Sequence, residues 1–183
     1  LLLDAALLGG ITKHFQTDIN MEKITLNNTG IIISYRESSV ERKDNLYATL
    51  RYLDNTFYDY NVYLIEADSK PKFQWDILSD NKINHKFVHN PGLFPKAFLY
   101  NTGVKLCSSE IVVLHDSDMI VNPHSFISAV DMVKNSPMTV MMPFYEVINV
   151  EGTEKELFCN HPHFNQFASV EKSNLPPLFH HMC

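Results

Sequence analysis

The triplet Asp116-Ser117-Asp118 is the part of the chain best suited to chemistry. Two carboxylates two residues apart, at the mouth of an apolar run, offer the hard oxygen ligands that Mg²⁺ and Mn²⁺ prefer. Such a cation commonly bridges to phosphates, and as a Lewis acid it neutralises charge building on a departing diphosphate. A bare Asp-x-Asp is common by chance. Here Ile111-Val112-Val113-Leu114 leads into it through His115, and Met119-Ile120-Val121-Asn122-Pro123 follows. That context favours a metal site over a turn with solvated acids. His115 itself reads as a strand-end residue with no metal bond. Two more polar groups directly follow apolar runs, Tyr35-Arg36-Glu37 and Glu66-Ala67-Asp68. Metal-capable side chains recur in the tail, at Cys159-Asn160-His161-Pro162-His163 and His180-His181-Met182-Cys183. Their spacings match no standard zinc pattern, so they read as a His-rich loop and a frayed end. The alternative is a histidine that completes the cation site.

Positioning these groups requires a particular set of elements. Ile31-Ile32-Ile33-Ser34-Tyr35 is a continuous β-branched run, the pattern of a buried parallel strand. Asn27-Asn28-Thr29-Gly30 before it is a loop signal. From Ser39 to Asn55 the apolar positions Val40, Leu46, Leu50 and Leu53 fit an amphipathic helix. Further strands are expected at Val62–Ile65, Lys86–His89, Ile111–His115 and Thr139–Met142, with residues 69–85 otherwise irregular. Pro95 opens a helix that runs to about Cys107, and Pro123 opens another to about Val133. Strands alternating with helices predict an α/β fold with a mainly parallel sheet. Ligands of such sheets sit at the carboxyl ends of the strands, where all three polar groups lie.

The 183 residues suffice for one domain with a sizeable core. Hydrophobic residues make up 45% and charged residues 20%, a globular balance that excludes a disordered chain. The formal net charge of -6 excludes general nucleic-acid binding, which is built on Lys and Arg. It leaves room for a local basic pocket for one phosphorylated small molecule. Three cysteines make no disulfide framework and suit a reducing compartment. No stretch approaches the ~20 apolar residues of a membrane helix, and Leu1–Leu8 is too short and too poor in basic residues for a signal peptide. The expectation is a cytoplasmic protein, at most peripheral at a membrane.

The run Phe94-Pro95-Lys96-Ala97-Phe98-Leu99-Tyr100-Asn101-Thr102-Gly103-Val104-Lys105, followed by Ile111–His115 and Asp116-Ser117-Asp118-Met119-Ile120, resembles glycosyltransferases of the GT-A fold. The helix is similar to the Phe-Asn-Arg-Ala…Leu-Asn-x-Gly element of the β-1,4-galactosyltransferase and chondroitin-synthase-like group. It is also similar to the Ala-Arg-Asn-x-Gly element of the inverting family-two enzymes. Ile31-Ile32-Ile33-Ser34-Tyr35-Arg36 resembles the Ile-Ile-Pro-Tyr-Arg opening of the same groups, with Ser34 in place of proline. The match is close over about residues 31–123 and looser to about 145. It implies a Rossmann-like α/β/α sandwich. The boundaries expected are an N-terminal extension over 1–29, a nucleotide-sugar-binding core over 30–145, and the start of an acceptor-side region over 146–183.

The resemblance also implies roles. Asp118 would be the main ligand of Mn²⁺ or Mg²⁺, with Asp116 nearer the ribose or a metal-bound water. Tyr35 and Arg36 would line the nucleotide pocket, Tyr35 against the uracil ring. Glu66 or Asp68 would contact the base or ribose. Lys96 stands where the galactosyltransferase pattern has Arg, and binds phosphate as a point charge rather than a planar fork. Asn101 belongs to the same element, and Tyr100 stands where the family-two pattern has Arg. Gly103 fits close helix-to-sheet packing. Inverting transfer also needs a carboxylate base for the acceptor hydroxyl. Glu146, Glu151, Glu154, Glu156 and Glu171 lack the family's context for it, so the base is expected outside the chain, which reads as incomplete.

The expected function is metal-dependent transfer of a sugar from a nucleotide diphosphate sugar, with UDP the favoured nucleotide. The acceptor would be a saccharide, a lipid-linked saccharide or another hydroxyl compound, and inversion is implied because both resembling groups invert. A nucleotidyltransferase would normally carry a Gly-rich basic loop after the first strand, which Ser34-Tyr35-Arg36-Glu37-Ser38 is not. The third alternative is a non-catalytic module that holds nucleotide or metal only.

Overall fold

The computed structural model of the chain describes residues 22–74, 82–136, 139–144 and 147–163. Its elements are β1 (Ile24–Tyr35), α1 (Val40–Thr56), β2 (Phe57–Asp68), β3 (Ile83–His89), α2 (Lys96–Leu106), β4 (Ile111–His115), α3 (Pro123–Asn135) and α4 (Gly152–Asn160). The four strands form one sheet in the order β3-β2-β1-β4, and every pair is parallel. This is the expected α/β architecture. The chain leaves β1 toward β2 on one side and returns to place β4 on the other, so the strand order reverses beside β1.

Side chains on a strand alternate between faces, and β1 supplies both layers of the core. Ile31, Ile33 and Tyr35 pack with Leu46, Leu50 and Leu53 of α1, Phe126 and Val130 of α3, and Phe158 of α4. Ile32 packs on the other face with Tyr63, Ile65, Ala67 and Leu99 of α2. Gly103 sets how close α2 lies to the sheet. A Cβ there would stand 2.2 Å from Ile32 Cγ2, which no side chain tolerates.

Helix starts follow the local chemistry. The Ser39 side chain caps α1 by accepting from the Arg42 amide at 3.2 Å. Asn122 caps α3 by accepting from the His124 and Ser125 amides, with Pro123 at the first turn.

Two expectations need correction. Asn27 and Asn28 do not form a loop before β1. They sit inside it as a bulge with φ of 53° and 56°, where the register with β2 shifts. Asparagine tolerates that left-handed backbone. Asp59 opposite has φ 58°, and its carboxylate accepts from the Asn28 amide at 3.0 Å. The fifth strand at Thr139–Met142 does not form. Val140 is 96% exposed and Met142 71%, with no ladder partner among the described residues. The nine-residue α4 was not anticipated, because Phe158 is its one buried residue and leaves no apolar stripe to read. Residues 1–21, with the expected short N-terminal helix, lie outside the described residues.

Candidate functional site

The register brings the strand ends level. Tyr35 pairs with Glu66, Asp68 with His89, and Ile33 with His115. Asp116, Ser117 and Asp118 therefore leave the sheet beside the end of β1, at the reversal of strand order.

The triplet is held from both faces of the sheet. From α2, Lys96 Nζ lies 2.5 Å from Asp116 Oδ1, and the Tyr100 hydroxyl donates to the same oxygen at 2.8 Å. Burial works against the charge on Asp116. The Lys96 ammonium and the Tyr100 hydroxyl outweigh it and hold the carboxyl below the usual aspartate range. From α1, Thr49 Oγ1 donates to the Ser117 carbonyl at 3.2 Å, and the Tyr52 hydroxyl donates to the Val121 carbonyl at 2.6 Å. His115 is buried, and its Nδ1–H donates to the Asp116 carbonyl at 2.7 Å. Burial lowers its pKa, so the ring is a neutral spacer. Its Nε2 is buried with no hydrogen-bond partner among the described residues.

Asp118 differs from every other group at these strand ends. It is exposed. Among the described residues no hydrogen bond or ion pair engages its carboxylate. It lines an open cavity of about 1130 Å³, together with Asn45 and Thr49 of α1, Asn122, Phe144 and Glu151.

The ends of β1 and β2 follow another pattern, and several expected site residues lie elsewhere than anticipated. Tyr35 is 1% exposed inside the core, so its ring has no face open to a base. Burial, with the Glu37 and Glu66 carboxylates nearby, raises the pKa of its hydroxyl. Arg36 donates from Nε to the Ala67 carbonyl at 2.7 Å, from Nη1 to Gly92 at 2.7 Å and from Nη2 to Asn90 at 2.9 Å. It is not free surface charge, since three of its N–H groups are bonded to backbone. Glu66 is 0% exposed. One of its oxygens accepts from the Lys72 and Phe73 amides at 2.7 and 3.3 Å, and the other from His85 Nε2 at 2.9 Å. Asp68 pairs with Lys72 at 2.9 Å and accepts from the Ser69 amide, which lowers its pKa. Asn101 is exposed on α2, one residue past Tyr100.

The site thus unites Lys96, Asp116 and Asp118, and adds Tyr100, Thr49 and Tyr52. Tyr100 was visible as a departure from the family pattern. Thr49 and Tyr52 are three apart on the inner face of α1, and only their hydroxyls distinguish them from core residues. Among the described residues no group of three or more His, Cys, Asp or Glu side chains converges as a metal cage. Glu146, Glu171 and the His180–Cys183 cluster lie outside the described residues.

A family model described as glycosyl transferase family 2 matches residues 29–183. The chain belongs to glycosyl transferase family 2. The match starts within β1 and takes in the whole Asp116–Asp118 region. No curated protein matches the chain. Membership makes the domain a sugar-transfer module, acting between a nucleotide-sugar donor and an acceptor. Among the described residues no helix is long and apolar enough to cross a membrane.

Proposed function

We propose that this family-two domain is a metal-dependent transferase. It moves a hexosyl or N-acetylhexosaminyl group from a nucleoside diphosphate sugar, UDP being the favoured nucleotide, to a hydroxyl of a saccharide or lipid-linked acceptor. The Phe94–Lys105 motif resembles the β-1,4-galactosyltransferase and chondroitin-synthase-like group as well as the family-two enzymes, and inversion is proposed because both groups invert. The observation that carries the reading is the exposed Asp118 carboxylate, unengaged among the described residues, two residues from an Asp116 fixed by Lys96 and Tyr100.

This donor set fits Mg²⁺ or Mn²⁺. The ligands are hard oxygens, and among the described residues no third His, Cys, Asp or Glu converges on the two carboxylates, which leaves positions for phosphate oxygens and water. Asp118 would be the main protein ligand, and Asp116 would face the ribose or a cation-bound water. When bound, the cation neutralises charge on the departing diphosphate. Lys96 is half-exposed at the mouth of the crevice and supplies an ammonium within reach of the same phosphates. Tyr100 keeps Asp116 in one orientation while this happens. Tyr35 and Glu66 act from below the crevice as supports, because neither side chain reaches solvent.

Calorimetry with UDP tests the reading. Binding should need MnCl₂, disappear with EDTA, and weaken at least about tenfold in Asp118→Ala, the size of a lost charge-assisted ligand. UDP binding that is equal with and without the cation would sink the metal dependence. No UDP binding at all would sink the nucleotide assignment.

A further inference from the structure

We infer that Arg36 is a positioning residue that sets Lys96 against Asp116, rather than a ligand for the donor phosphates. The inference takes from the reading above only that Lys96 faces the ligand.

Three of the five guanidinium N–H groups are engaged with backbone. Each of its three nitrogens donates to a backbone carbonyl, at 2.7 Å to Ala67, 2.7 Å to Gly92 and 2.9 Å to Asn90. Its carbon lies 5.5 Å from the centre of the Phe94 ring.

Two of the three carbonyls, and the ring, belong to residues 90–94, which join β3 to α2. Among the described residues little else holds that segment. Gly92 and Leu93 are exposed, Leu93 almost completely. The other bonds are those of the Asn90 amide to the Asp68 carbonyl at 2.9 Å and of the Gly92 amide to Asn90 Oδ1 at 2.8 Å. Lys96 is the first residue of α2, two residues past Phe94, and its side chain is 50% exposed. Its ammonium meets Asp116 and lies 5.7 Å from the centre of the Tyr100 ring, and the segment sets where the start of α2 delivers it to them. A planar fork suits three carbonyls in different directions, and a lysine in its place does not.

The test uses Arg36→Lys, which keeps the charge and removes the fork. Without ligand, heteronuclear NMR of the lysine ammonium groups reads the Lys96–Asp116 pair. The Lys96 signal, assigned by its loss in Lys96→Ala, should move in Arg36→Lys toward that of a free lysine, and an unmoved signal overturns the inference. With UDP and MnCl₂, Arg36→Lys should weaken binding roughly fivefold alone and under twofold in a Lys96→Ala background. Equal losses in both backgrounds would mean that Arg36 contacts the ligand itself. Phe94→Leu, which leaves the fork intact, should move the Lys96 signal the same way by a smaller amount, and covers the case that Arg36→Lys does not fold. If the wild type binds no UDP while the Lys96 signal still moves, the nucleotide assignment fails and the positioning role stands.

Discussion

At the ends of β1 and β2 the chain consumes its own charges, whereas beyond β4 it leaves one open. Arg36, Glu66, Asp68 and Lys72 bind backbone groups or one another, and together they brace the segments that follow the strands. Asp116 is half committed, to Lys96 and Tyr100. Asp118 is exposed, with no hydrogen bond or ion pair among the described residues. All these groups are polar side chains at carboxyl ends of parallel strands. What separates support from site is whether the backbone nearby has donors and acceptors that the side chain must satisfy.

Substitutions should split along the same line. The largest stability loss is expected for Glu66→Ala, about 3–5 kcal/mol, because His85 and two amides lose a buried carboxylate. Urea denaturation at neutral pH measures it, and a loss below about 1 kcal/mol would mean that the brace carries no load. Tyr100→Phe lies between the regions. It removes one donor from Asp116, whose carboxylate water still reaches, and should cost about 1 kcal/mol in the same assay.

A smaller effect is expected from Asp116→Asn, and it should depend on pH. The folded carboxyl titrates below its unfolded value, so its contribution is complete above about pH 4 and fades as pH falls through the lowered value. Melting curves of mutant and wild type should differ by at most about 1 kcal/mol above that range and converge in acid, since the ion pair is partly exposed. A gap that persists in acid would show that the side chain acts by packing instead. Asp118→Ala should change stability least, by within about 0.5 kcal/mol, while weakening cation-dependent UDP binding at least about tenfold. A loss above about 1 kcal/mol would move Asp118 into the supporting class.

The sequence revealed what depends on local pattern. Ile31–Tyr35, Ile111–His115 and the proline-led helices were plain, and so was the close approach at Gly103. The Asp116–Asp118 pair was legible because an apolar run points it at the crevice. The roles of Arg36 and Glu66 were not, since each is set by partners 31 to 56 residues away for Arg36 and 6 to 19 away for Glu66. The same holds for Thr139–Met142. Its residues have strand propensity, but a strand exists only where another edge receives it, and none does among the described residues.

The position of β4 has a consequence for the order in which the molecule comes together. β1 pairs with β2, which follows after one helix, and with β4, which arrives only after β3 and α2. Closing the longer loop costs more chain entropy, and during synthesis its far end emerges later. The braced half of the crevice can therefore assemble as a nascent unit before the aspartates are joined to it. Pulse-labelling hydrogen exchange during refolding should show the β1–β2 amides protected before those of β4, so that the Asp116–Asp118 triplet is the last piece of the crevice to mature.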